Sequence, residues 1–261
     1  MEKETSREQI TVKNLTKIFT TGKGEGRVTA LKDLSLRVEP GQFFSVIGPS
    51  GCGKSTLLRI VGGLLQPTSG SVTIGNGAAP QTAQKAKEIG FVFQSPGLLP
   101  WKTVQGNVEI PLKLNARANR PFSHTCDELI DLVGLATFSG AYPHQLSGGM
   151  QQRVAIARAL SIDPALLLMD EPFGALDAIT RQAMRYELLR IWEQAQKTVI
   201  FVTHSIAEAI VLSDVVAVIS ARPGQLRGIV EIDLERPRTE EIEQSREFLD
   251  YVARLTELLR E

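Results

Sequence analysis

The chain of 261 residues suits one large domain or a domain with a sizeable insertion, and its 43% hydrophobic content supports a substantial core. Lys+Arg 29 against Asp+Glu 29 leaves it formally neutral, which gives no electrostatic ground for a nucleic-acid partner or for direct adsorption to an acidic membrane. Cys52 and Cys126 lack metal-ligand spacing, the amino terminus MEKETSREQI is charged, and no apolar run reaches the length of a bilayer span, so the expectation is a reducing cytoplasm with neither signal peptide nor membrane crossing.

Taken in chain order, the Gly/Thr-rich FTTGKGEGRVT reads as a loose surface hairpin. ALKDLSLRVEPG then alternates Leu34, Leu36 and Val38 with Ser35 and Arg37, the period of a half-exposed strand, and SGSVTIG repeats it with Val72 and Ile74; both are expected to be antiparallel. FFSVI, ALLLM and VIFVT (Phe43–Ile47, Ala165–Met169, Val199–Thr203) are continuous apolar runs, as central parallel strands covered on both faces require. Between about Gln94 and Pro164 the pattern turns to loops and helices: CDELIDLVGL places Leu129, Leu132 and Val133 on one face, and MQQRVAIARAL follows, which reads as a helical insertion over about 95–164. Met184, Leu188, Ile191 and Trp192 form a later helical stripe, and Phe248, Val252, Leu255 and Leu259 another, both read as core-facing. The fold expected is an α/β core with a mostly parallel central sheet, an antiparallel β edge layer and an inserted helical subdomain, all within one domain over 1–261.

Four stretches carry chemistry. GPSGCGKST matches G-x-x-x-x-G-K-[ST] between an apolar strand and a helical run, so Gly48, Pro49, Ser50, Gly51, Cys52, Gly53, Lys54, Ser55 and Thr56 form a candidate phosphate loop. Its backbone N–H groups curl around α/β-phosphates, Lys54 reaches the β/γ-phosphates, and the Ser55 hydroxyl takes a place on Mg²⁺. In ALLLMDEP a buried strand ends at Asp170, suited to the Mg²⁺ shell, and Glu171 follows where it reaches an attacking water. His204 ends the apolar strand VIFVTH, at the sheet edge where open α/β folds gather ligands. In QLSGGMQQRVAIARAL, Ser147 reads as the N-cap of a helix whose opening glycines leave N–H groups facing outward, an end that favours an anion.

The phosphate loop, Gln94, LSGGM, MDEP, GALD and the strand-end His, in that order over nearly the whole chain, resemble the ABC-transporter ATPase family, with its P-loop NTPase core. The resemblance implies that Gln94 senses the Mg²⁺ and water position and that His204 contacts the γ-phosphate. It makes Ser147, Gly148 and Gly149 signature residues facing the ATP held by a second subunit, and puts Asp177 in the loop across the dimer seam. Phe19, in TKIFTT, matches the position whose aromatic ring stacks on adenine. SPGLLPWKTVQGNV, AYPHQLSGGM, DEPFGALDAITR and SARPG together look like the nitrate/sulfonate/taurine branch of bacterial importers, while Ser205 stands where an acid often follows the histidine and Val215 where a basic residue is common.

The resemblance implies an ATPase that uses ATP and Mg²⁺ as two copies, a homodimer sandwiching two nucleotides. It would sit at the cytoplasmic face of the membrane through permease subunits and be served indirectly by an extracytoplasmic solute-binding protein. Leu98, Leu99, Pro100 and Trp101 form an apolar loop of the kind that marks a protein-binding surface, the expected permease contact. The rivals are a soluble ABC ATPase not coupled to transport, which in repair forms carries long coiled-coil arms and in ribosomal forms usually two cassettes, and a P-loop kinase, which leaves LSGGM unexplained.

Overall fold

Alternating apolar and polar residues build a hairpin at the start of the computed structural model, which describes residues 10–21, 26–119 and 124–260. β1 (Ile10–Thr21) pairs antiparallel with β2 (Gly26–Val38), Ile10 opposite Val38 and Thr21 opposite Gly26. Leu34, Leu36 and Val38 are buried and Ser35 and Arg37 exposed, the expected alternation. Residues 22–25 of the expected hairpin, and residues 1–9 of the charged amino terminus, lie outside the described residues. β3 (Phe43–Ile47) is buried at every position, as a strand covered on both faces must be. After α1 (Lys54–Val61), β4 (Ser69–Ile74) adds to the free side of β1, antiparallel as expected, and α2 (Pro80–Lys85) follows. This stretch up to Gln84 and the residues from Thr198 make one compact unit, and Lys85–Lys197 make a second.

The second unit contains β5 (Ile89–Val92), α3 (Val104–Lys113), α4 (Cys126–Leu132), α5 (Gly148–Leu160), β6 (Leu166–Asp170) and α6 (Ala178–Ala195). β5 and β6 run parallel, Ile89 opposite Leu166 and Val92 opposite Met169. Among the described residues, every regular element between Gln94 and Pro164 is helical, and α5 packs against α3, α4 and β5. Each main helix opens on a side-chain oxygen that accepts a first-turn N–H: Thr103 for α3, Thr125 for α4, Ser147 for α5 and Asp177 for α6. Met184, Leu188 and Ile191 of α6 are buried and Trp192 half-buried, the stripe read from the sequence.

The first unit resumes with β7 (Thr198–Thr203), α7 (Ile206–Leu212), β8 (Val215–Ile219), β9 (Leu226–Glu231) and α8 (Arg246–Arg260). β3 lies between β7 and β8, parallel to both, and β9 closes the edge antiparallel to β8. The Phe43 and Phe201 rings meet at 5.8 Å between neighbouring strands. The buried Arg238 donates to the carbonyls of Ile210, Val211 and Ser213 at 2.9, 3.0 and 2.8 Å, satisfying the orphan end of α7. In α8, Phe248 and Leu255 are buried while Val252 and Leu259 are half-buried. No helix among the described residues is long and apolar enough to cross a membrane.

Candidate active site

In the first unit β3 ends at Ile47, and the chain turns through Gly48–Gly53 into α1, whose first residue is Lys54. Gly53 takes φ 104°, where an L side chain is strained, and a Cβ there would lie 2.8 Å from both the Ala30 carbonyl oxygen and Leu31 Cδ2. The Lys54 stem is buried, and its ammonium folds back to donate to the carbonyls of Gly48 at 2.8 Å and Pro49 at 3.2 Å. The Cys52 N–H donates to the same Pro49 oxygen at 3.3 Å. Pro49, Ser50 and Gly51 are exposed, Ser55 and Thr56 half-buried in the first turn of α1, and that turn holds no acidic residue. An open helix N-terminus with a lysine across it is a cradle for phosphate.

Ile47 and Thr203 are register partners on parallel strands, so Gly48 and His204 step off the same sheet edge. His204 is exposed there. Its turn is braced by a short hydrogen bond from the Thr203 hydroxyl to the Glu208 carboxylate, and the Ser205 N–H donates to Thr203 Oγ1 at 3.0 Å. Ser205 Oγ accepts from Glu208 N at 3.3 Å and so caps α7, the work an acid would do at that position. Phe19 on β1 is 40% exposed, too open for a core residue, and the Lys17 ammonium stands 5.1 Å from its ring centroid.

In the second unit Asp170 is buried at the end of β6, and Glu171 follows at φ 43°, a left-handed backbone that costs a glutamate about 1 kcal/mol or more. Gln94 lies two residues beyond β5, whose Val92 is opposite Met169, so Gln94 and Glu171 leave neighbouring parallel strands at the same end. Their side chains converge on Gly174: a Cβ there would lie 3.1 Å from Gln94 Nε2 and 3.7 Å from Glu171 Oε2. Ser147 is exposed and accepts from Met150 N at 3.3 Å, the expected cap. Gly148 is exposed and Gly149 is buried, with a would-be Cβ 3.0 Å from Thr180 Cγ2, so the second glycine also lets α6 approach closely. Asp177 is exposed, and the Thr180 N–H donating to it at 3.0 Å holds its carboxyl below the ordinary value of 3.8.

The apolar loop after Gln94 is gripped from two helices. Arg158, in the last turn of α5, donates to the carbonyls of Pro96 at 2.6 Å and Gly97 at 2.8 Å. Asn107 of α3, wholly buried, accepts from Leu99 N at 2.7 Å, and its amide faces the carbonyls of Leu99, Lys102 and Thr103 at 3.2, 3.1 and 3.0 Å. The loop so held leaves Trp101 68% exposed beside the exposed Pro100, with Leu98 and Leu99 half-buried. Asn107, Arg158 and Gly174 each lie within a stretch quoted from the sequence, SPGLLPWKTVQGNV, QLSGGMQQRVAIARAL and GALD, but none is assigned a role there.

The family model described as ABC transporter matches residues 31–174. The chain is 48% identical over 253 residues to an uncharacterized ABC transporter ATP-binding protein of Methanocaldococcus jannaschii, covering 97% of this chain and 92% of that one. It is 42% identical to the nitrate import ATP-binding protein NrtD of Synechocystis (96% and 95% covered) and 44% identical to the aliphatic sulfonates import ATP-binding protein SsuB of Bacillus thuringiensis (88% of each). Among solved structures, the dimeric bacterial ABC transporter cassette MJ0796 matches with TM-score 0.73 and 36% identity, covering 87% of this chain and all of that chain. The post-hydrolysis dimer of that cassette bound to ADP and Pi matches at 0.71 and 35%, with the same coverage. Likeness of this extent, on a fold that presents a phosphate cradle and a strand-end carboxylate, shows that the chain belongs to the ABC transporter family as an ATP-binding subunit and ATPase.

Proposed function

We propose that the chain is the ATP-hydrolysing subunit of an importer, energising uptake of nitrate, a sulfonate such as taurine, or a related small organic compound through a membrane permease. The observation that carries it is the meeting of Gln94 and Glu171 over Gly174, which pairs a carboxylate with a polar amide where a water can be held and polarised. The relatives named for nitrate and sulfonate import support the solute class. The exposed Trp101 platform supports a permease contact, and with it a peripheral place on the cytoplasmic face. A solute-binding protein outside the membrane would deliver the solute to that permease.

In this reading the N–H groups and Lys54 of Gly48–Thr56 hold the triphosphate, and the Lys54 ammonium exchanges its two carbonyl partners for phosphate oxygens. Ser55, Gln94 and Asp170 offer the neutral and anionic oxygens that a hard cation prefers, so they fit Mg²⁺, which supplies charge neutralisation on the phosphates when bound. Glu171 takes the proton of the attacking water as its oxygen bonds to the γ-phosphorus, and the β–γ bridging oxygen departs with ADP. His204 steadies the γ-phosphoryl oxygens, Phe19 stacks on adenine, and Ser147 and Gly149 of a second copy close over the phosphates with Asp177 at the seam. Gly148 keeps that helix mouth open.

A positioned general base contributes about 10²–10⁴ in rate, so E171Q should nearly stop hydrolysis while keeping ATP binding. The stalled variant should then accumulate as an ATP-bound dimer by light scattering after size exclusion, ADP should not support it, and adding Ser147→Arg should return it to monomer. A monomeric E171Q over a wide ATP and protein range, or one with wild-type turnover, refutes the assignment.

A further inference from the structure

SARPG, Ser220 to Gly224, takes no part in the roles above, yet the chain from Ile219 through it runs along the phosphate loop and touches it at three points. The Ile219 carbonyl oxygen lies 2.6 Å from where a Cβ on Gly48 would be. Arg222 Nε donates to the Gly51 carbonyl at 3.0 Å. Gly224 abuts the Cys52 carbonyl so closely that a Cβ on it would overlap that oxygen. The SARPG loop is itself stiff: Gly224 N donates to Ala30 O at 2.9 Å, Lys32 N to Gly224 O at 3.0 Å, and Ser220 N to Gln225 O at 2.9 Å.

In a planar trans peptide the C=O and the next N–H point in opposite directions. A loop that engages the carbonyls of Gly51 and Cys52 from one side therefore turns the N–H groups of Cys52 and Gly53 to the other. That other side is where the phosphate cradle lies: the Cys52 N–H and the Lys54 ammonium already converge on one oxygen, that of Pro49. Two consecutive N–H groups aimed one way, with a cation beside them, are an anion nest.

We infer that Arg222 is a positioning residue of the nucleotide site, holding the Gly51–Cys52 peptide in the orientation that presents its N–H to the polyphosphate of a nucleoside di- or triphosphate. This rests on Gly48–Thr56 being the phosphate loop. Arg222 is exposed and its charge is screened, so orientation of the peptide dominates over direct attraction.

The test uses the full chain, with calorimetric titration of ATP and ADP and steady-state kinetics. R222A should weaken both nucleotides about five- to tenfold, as loss of one charge-assisted hydrogen bond to a partly solvated carbonyl would. KM for ATP should rise in step with kcat changed less than twofold, and R222K, which keeps a charged donor of similar reach, should stay within about twofold of wild type. R222A binding both nucleotides as wild type does, with or without a fall in Tm, overturns the inference. So does a loss of kcat at unchanged KM in both variants. Absence of ATP binding in the wild-type chain would instead overturn the phosphate-loop assignment beneath it.

Discussion

Asn107 lets the rigidity of the Trp101 platform be tested by two substitutions of opposite chemistry. Asn107→Ala removes the acceptor for the Leu99 N–H and the amide that faces three carbonyls, at a position with no exposure. A buried N–H left without a partner costs about 1–3 kcal/mol, and losing the donors as well brings the total to about 2–4 kcal/mol. Asn107→Asp has nearly the same shape and keeps the acceptor, yet at neutral pH it turns a buried charge toward those carbonyls, a situation that costs about 3–5 kcal/mol. The isosteric change should therefore be the worse one. Burial and the carbonyls raise the new carboxyl above its unfolded value of about 3.9. Protonated, it donates again, so the deficit should be smallest below that value and widen as pH rises through the raised native value. Urea unfolding followed by tryptophan fluorescence at pH 4 and pH 7 measures both quantities. An N107D protein more stable than N107A at pH 7, or a deficit that shrinks as pH rises, refutes the reasoning.

Trp101→Asp should abolish retention of the permease in a pull-down while leaving ATP affinity of the isolated subunit intact, because interface energy concentrates in such exposed aromatic anchors; wild-type retention overturns the docking assignment. Phe19→Ala should weaken ATP and GTP about tenfold, since base stacking is worth about 1–3 kcal/mol, whereas Phe19→Tyr should change little. An unchanged nucleotide affinity with a lowered Tm would make Phe19 a structural residue.

What was legible in the sequence is what short-range pattern encodes. Phe43–Ile47 and Val199–Thr203 declared themselves as covered strands because every residue in them is apolar, and their register then follows from parallel pairing. Ser147 declared itself as a cap because its partner is three residues away. Gly149 was legible only in part, since the same lack of a side chain that opens a helix mouth also admits a neighbouring helix, whose Thr180 lies far along the chain. Arg222 and Gly51 are separated by 171 positions, and a hydrogen bond to a backbone carbonyl leaves no mark on the identity of the residue that owns the carbonyl. Asn107 is hidden for the same reason: its partners are main-chain atoms of Leu99, Lys102 and Thr103, which any residues would supply. ABC motifs name the residues proposed to meet the nucleotide; the contacts that hold them in place are written mostly in backbone.

The left-handed backbone at Glu171 sets thermal robustness against turnover at a single codon. Glycine adopts φ 43° freely, so a Gly there would relax the strain, and relief of that kind is worth about 1 kcal/mol. The same change deletes the carboxylate assigned to the water. With Glu171 as the proposed base, a population screened only for surviving heat should drift toward inactive chains at this codon, and one screened only for ATP turnover should keep the uncomfortable backbone indefinitely.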